Sequence, residues 1–189
     1  MAFFKRKKPV QGDPRWLGWP DNLDVNDSAD VEWIKRSNDP LVWHAAALAC
    51  LIFSGDKHDL IAWLVQQPGL DRVTAAAMFL HNGNGVSFLK GDHLDFVQMK
   101  EPQVAEMIDR LCDLSASQAL EDNGIGMKSG WEDARQETVK ILAGHPRAPM
   151  GILGRPIDRQ TSTMPYTDIG EGDLVSLKFM RESMPFLFD

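Results

Sequence analysis

Between Leu41 and Phe53 the chain reads LVWHAAALACLIF, in which His44 is the only clearly polar side chain. A helix that is apolar on every side has to be buried all round, so this segment is expected at the centre of a helical array. Its start is well marked: Asp39 is placed to cap and Pro40 stands in the first turn, where a missing N–H costs nothing. A short helix, roughly Ser28 to Arg36, is expected before it. After it, Asp56 is a cap candidate, with Asp59 in the first turn of a helix over about 56 to 67 that stops at Pro68. Asp71 opens the next, about 71 to 82, whose Ala75, Ala76 and Ala77 leave room for a neighbouring backbone and whose Asn82 and Gly83 suit a left-handed exit. Val104, Ala105, Ile108, Leu111 and Cys112 form a stripe at spacings of three and four, predicting a helix over about 102 to 122. Ser115 with Gln118 and Ser129 with Glu132 have capping-box spacing, the second opening a helix over 130 to 143 that ends at Gly144 and Pro146.

The two ends read differently. Residues 1–25 form an arm carrying Trp16, Leu17 and Trp19 among prolines and glycines, and residues 145–189 contain five prolines. Within the latter, DLVSLKFM (173–180) fits a strand by alternation and a helix by its Leu174, Leu177 and Met180 spacing. The expected fold is mainly α: a single-domain helical array (26–144) around the central apolar helix, with the irregular proline-rich C-terminal segment packed on it. No internal repeat is visible.

At 189 residues and 43% apolar content the chain can fill a core of its own. Cys50 and Cys112 sit among apolar residues, as buried free thiols do. No apolar run reaches the length of a membrane span, and no apolar core follows the basic residues near the start; no membrane association and a cytoplasmic location are expected. The first fifteen residues hold five basic side chains and one acidic, which leaves 15 basic and 26 acidic in the rest, a net of −11. Such a body repels phosphates, which argues against nucleic acid and for a basic protein partner.

Candidate chemistry is sparse. A metal site would join His58, Asp59, His81 and His93, with the carboxylates of Asp56, Asp92 and Asp95 nearby in sequence, but no zinc-type spacing is present. NGIGMKSG (123–130) has Met127 where a phosphate loop needs glycine, and no strand leads into it. There is no G-x-S-x-G, and Ser28, Ser54, Ser115 and Ser129 all stand where helix caps are expected. His145 precedes a proline, and His44 reads as a hydrogen-bonded core residue. More telling is the acidic run Asp21, Asp24, Asp27, Asp30 and Glu32, which gathers carboxylates beside Trp19 and Trp33, tryptophans of the kind that anchor interfaces.

The stretch WLVQQPGLDRVTAAAMF resembles the signature of an uncharacterised bacterial domain family with a W-x-x-x-Q-P-x-x-D-x-x-T-A pattern. Trp63, Gln67, Pro68, Asp71, Thr74 and Ala75 match it, and His44 with Ala47 stands upstream as in the family. Leu70 replaces the family's Cys, Val73 its Gly, and FSGD an acidic, tryptophan-containing turn. The resemblance covers about residues 41 to 90. It implies a small bacterial protein, of a kind some members of which look like toxin-immunity or accessory proteins, with no catalytic activity attached.

The expectation for function is therefore a non-catalytic cytoplasmic protein-binding module, in one form an immunity protein that blocks a cognate secreted toxin. It needs no cofactor or metal, and is a monomer or weak homodimer. Contact is expected through Asp21, Asp24, Asp27, Asp30, Glu32, Trp19 and Trp33. The alternative is a metal-assisted hydrolase or small-molecule binder using His58, His81 and His93 in an interhelical cleft. A third reading has the apolar tail Met184 to Phe188 packing on another chain. The corner Gln67 to Asp71 is open between architecture and function.

Overall fold

Two aspartates set the first two helices. The Asp27 carboxylate accepts from the backbone N–H groups of Ala29 and Asp30 at 2.9 and 3.2 Å, opening α1 (Ser28–Ser37). Asn38 then turns the chain in the left-handed region at φ 50°. Asp39 accepts from Leu41 N at 2.9 Å with Pro40 in the first turn, and α2 (Pro40–Ala49) follows with every residue from Leu41 to Ala49 buried. Trp43 Nε1 donates to the Ile34 carbonyl at 3.1 Å, tying α2 to the last turn of α1. At Cys50 and Leu51 the helix widens into a π turn.

The computed structural model describes residues 24–51, 56–91, 102–127 and 129–158. Within these the protein is mainly α-helical; the only ladder pairing is an isolated parallel bridge between Asp71 and Glu121. No described helix is long and apolar enough to cross a membrane. The residues 1–23 with Trp16, Trp19 and Asp21, and 159–189 with the 173–180 element and the Met184–Phe188 tail, lie outside the described residues, as do Ser54 and His93.

The third helix is shorter than its expected 56–67. Asp59 takes a left-handed conformation (φ 52°), so α3 spans only Leu60–Leu64, and the Asp56 carboxylate reaches forward to cap Leu60 N and Ile61 N at 2.7 and 2.8 Å. After the Gln67–Asp71 corner, α4 (Arg72–Leu80) is buried along its whole length and packs against α2 and four of the later helices. The small faces of Ala45, Ala46, Ala75, Ala76 and Ala77, all within 1% of complete burial, line this interior. Small side chains let helix axes approach closely.

Asn82 and Gly83 take the left-handed conformations expected of an exit (φ 52° and 71°), but the chain re-enters a helix at once as α5 (Asn84–Leu89). Gly85 makes that possible: a Cβ there would stand 2.4 Å from the ring of buried Phe79.

α6 (Pro102–Ser117) buries Ile108 and Leu111 completely. It stops short of 122 because Gln118 turns left-handed at φ 55°. Ser115 is not a cap. It lies inside α6, and its hydroxyl accepts from Ile152 N at 3.3 Å. α7 (Ser129–Ile141) follows, and its Glu132 carboxylate turns to Arg135.

Residues 145–158 alternate exposed positions with a few buried ones. α8 (Met150–Leu153) and the irregular stretch after it send Ile152, Leu153 and Ile157 fully into the core, and Met127 N donates to the Ile157 carbonyl at 2.8 Å. Gly151 allows the approach, since a Cβ there would lie 2.5 Å from the Ser115 carbonyl oxygen.

Candidate functional site

The corner that carries the family-like residues is fully used by the fold. Trp63 meets Trp43 edge-on, with ring centroids 5.4 Å apart, and Gly69 lies against the same Trp43 ring. Gln67 Nε2 donates back to the Trp63 carbonyl at 2.8 Å. The Asp71 carboxylate accepts from Val73 N and Asn123 N, both at 2.7 Å, so it caps α4 and also holds the chain arriving from α6. Burial raises its pKa above the usual carboxylate range, against the pull of those two N–H groups. Thr74 Oγ1 and His44 Nδ1 are 2.9 Å apart in the core. Burial lowers the His44 pKa to about 4, so the ring is neutral, and its Nε2 has no partner among the described residues.

Arg72 is the residue that sequence reasoning missed. Next to a capping aspartate it reads as a solvent-facing charge, yet it is 1% exposed. Its guanidinium donates to the carbonyls of Ile152, Arg155 and Pro156 at 2.9, 3.1 and 2.8 Å, with Asp122 3.8 Å away. Arg135 grips the same segment from the other side, donating to the Leu153 carbonyl at 2.6 Å while forked onto Glu132. Glu132 also accepts from Ile157 N and Gln136 Nε2, and the Arg135 fork holds its pKa down at about 2. Two arginines thus satisfy the free carbonyls that a short helix end would otherwise bury unpaired.

Of the acidic run, Asp24, Asp27 and Asp30 gather around the start of α1. Asp27 caps that helix, the Asp30 carboxylate accepts from Asp24 N at 2.9 Å, and Asp24 is buried with its own carboxylate accepting from Asn26 N. Glu32 is outside this knot, 60% exposed and 3.3 Å from Lys35 Nζ. Trp33 is partly buried against the core. Three of the run's carboxylates therefore have local structural work, and Glu32 faces solvent, paired only with Lys35 one turn on.

Of the candidate metal histidines, the described pair His58 and His81 is not gathered into a ligand cluster. His58 Nε2 lies 2.9 Å from the Asn26 carbonyl, whereas His81 stands beside Asn82 in a different place. Among the described residues, no group of three or more His, Cys, Asp or Glu side chains is arranged to hold a metal ion.

His81 instead borders a cleft of about 470 Å³ between α3, the α4–α5 junction and α6. Its floor is apolar: Leu51, Ile61, Val104 and Met107, with the Cys50 thiol, which burial and the charge of Asp56 push far above the range where it reacts. Its rim carries Asp56, Asp59, Asn82, Asn84 and Gln103, and Ala62 opens it to solvent. Three departures from regular backbone meet here: the π turn at Cys50–Leu51 and the left-handed Asp59 and Asn82. Such irregularities cost stability and concentrate at binding sites. The cleft lies within the usual size range of ligand and side-chain pockets. Asp56, Asp59 and His81 were grouped from the sequence only as parts of a candidate metal site with His58 and His93; the cleft brings these three together without His58.

Comparison with known proteins gives no matching family model, no matching curated protein and no matching solved structure. The likeness carried by Trp63 to Ala75 therefore rests on those residues alone.

Proposed function

We propose that this chain is a non-catalytic protein-binding module that captures a basic protein partner in the cytoplasm and acts by blocking it, in the manner of an immunity protein against a cognate secreted toxin. The observation that carries the reading is how the charges are spent. The chain is acidic, at −7 overall. Arg72 and Arg135 are buried in backbone contacts, and the more exposed Arg147 and Arg155 pair with Asp109, Asp113 and Asp122. Exposed carboxylates such as Glu32, Asp56 and Asp59 then dominate what a partner meets. Steering of a basic surface onto such a face raises the on-rate and selects the partner.

Two of the described histidines are placed for structure. His44 is sealed in the core, and His58 is held on a backbone carbonyl. Blockade requires only a stable complementary surface.

The test is affinity capture on the immobilised full chain from cell lysate supplemented with secreted proteins, at low and at high ionic strength, with identification by mass. One basic protein retained at low salt and weakened at high salt is the expected result. Retention that ignores salt, or no specific protein retained by folded material, overturns the reading.

A further inference from the structure

We infer that the cleft between α3, the α4–α5 junction and α6 receives a single arginine or lysine side chain standing out from the surface of the basic partner. This deepens the binding-module reading and rests on it. The argument is one of shape and charge together. An arginine or lysine side chain is an apolar stem with a cationic head, and it prefers a site with an apolar wall and a polar mouth. The cleft's lining combines the two: Ile61 and Met107 are buried and Val104 half-buried, whereas Asp56 and Asp59 are exposed. Among the described residues, no lysine or arginine lines it.

The two carboxylates differ in availability. Asp56 gives each oxygen to one backbone N–H of α3, which fixes the carboxylate in place while leaving lone pairs directed outward. Asp59 is exposed, held in a left-handed turn, and its carboxylate has no hydrogen-bond or ion-pair partner among the described residues, only its backbone carbonyl accepting from Trp63 N. His81 does not compete as a cation. With Asn82 Nδ2 donating to its Nε2 at 3.0 Å the ring is neutral, and burial lowers its pKa in the same direction.

The probes are Nα-acetyl-arginine and Nα-acetyl-lysine methyl esters, titrated into the full chain and followed by methyl NMR of Ile61, Val104 and Met107. Nα-acetyl-norleucine methyl ester is the uncharged control. Shifts confined to the cleft methyls are expected for the two cations and not for norleucine. Asp59→Asn should weaken them by roughly fivefold, the size of one solvent-accessible ion pair, and Ala62→Trp, which fills the mouth without changing charge, should abolish them. Melting temperature is recorded for both variants, and because Ala62 and Asp59 are both exposed, a folded protein is expected in each case.

Shifts scattered over the acidic surface, or shifts that persist in a folded Ala62→Trp protein, overturn the site. Dissociation of a dimer by the arginine ester, seen by sedimentation, would make a second copy of this chain the occupant and overturn the partner assignment. A captured basic partner that binds Ala62→Trp with unchanged affinity would remove the cleft and leave the binding-module reading standing. Absence of any salt-sensitive partner alongside clean cleft shifts would do the reverse.

Discussion

Replacing Arg72 by methionine removes the guanidinium while keeping a flexible stem of similar length. In the native protein that group serves three carbonyl oxygens at 2.8 to 3.1 Å. Hydrogen bonds to a charged group contribute about 1.5–3 kcal/mol each, but the cost of losing one depends on whether water can replace it. Arg155 and Pro156 are exposed residues whose carbonyls can be rehydrated, whereas Ile152 is fully buried and its carbonyl cannot. An unsatisfied buried acceptor costs about 1–3 kcal/mol. Relief of the desolvated cation works the other way, reduced by Asp122, 3.8 Å from Nε. The net expected loss is about 2–4 kcal/mol, a large share of the stability of a domain this size. In urea denaturation followed by circular dichroism this should lower the midpoint by about 1–2 M at unchanged slope. Arg72→Lys should recover only a minor part, since one ammonium cannot reproduce the fork that reaches Ile152 and Pro156 from two nitrogens. A loss below about 1 kcal/mol for Arg72→Met, or full stability in Arg72→Lys, would refute the view that this corner is held for architecture.

The other expectations can be checked with the same apparatus. Gly85→Ala forces a methyl to within 2.4 Å of the Phe79 ring and should cost about 1–3 kcal/mol, with partial recovery in the double variant Gly85→Ala, Phe79→Leu; additive losses would show that the two do not touch. Asp27→Ala should cost about 1 kcal/mol by removing the α1 cap, whereas Glu32→Ala should change stability by less than about 0.5 kcal/mol. Equal effects from the two would remove the distinction drawn within the acidic run. Acid should destabilise the protein in two overlapping steps, because both groups concerned have depressed folded-state pKa values and so lose their stabilising contribution as pH falls. The first runs from the ordinary His value of 6.5 down to about 4 as His44 is forced to ionise, and His44→Gln should flatten it. The second runs from the ordinary Glu value of 4.5 down to about 2 as Glu132 is protonated, and Glu132→Gln should flatten that one. A wild-type stability that stays level from pH 6.5 to 3 would contradict both.

Much of the helix inventory was legible in the chain, for a local reason. Asp39–Pro40, Asp71 and the stripe from Val104 to Cys112 act through neighbours a turn away, so their meaning travels with the sequence. The all-apolar stretch from Leu41 predicted burial because no other environment tolerates such a helix in water. What failed to show locally were features that exist only by virtue of a distant partner. Ser115 reads as a cap until Ile152 arrives beside it, 37 positions on in the chain. α8 has no start signal of its own; it forms because Arg72 and Arg135, contributed by other helices, satisfy its carbonyl end, and because Gly151 lets it sit on Ser115. α5 depends in the same way on Gly85 fitting against Phe79. The acidic run was visible as a charge pattern, but its division into a helix-capping knot and an exposed Glu32 was settled by backbone N–H groups, which carry no sequence label. The cleft is the extreme case: Asp56 and Asp59, His81 and Met107 come from three separate helical regions. Composition determined that the surface would be acidic, and only the packing of α3, α5 and α6 decided where that acidity borders an apolar hollow.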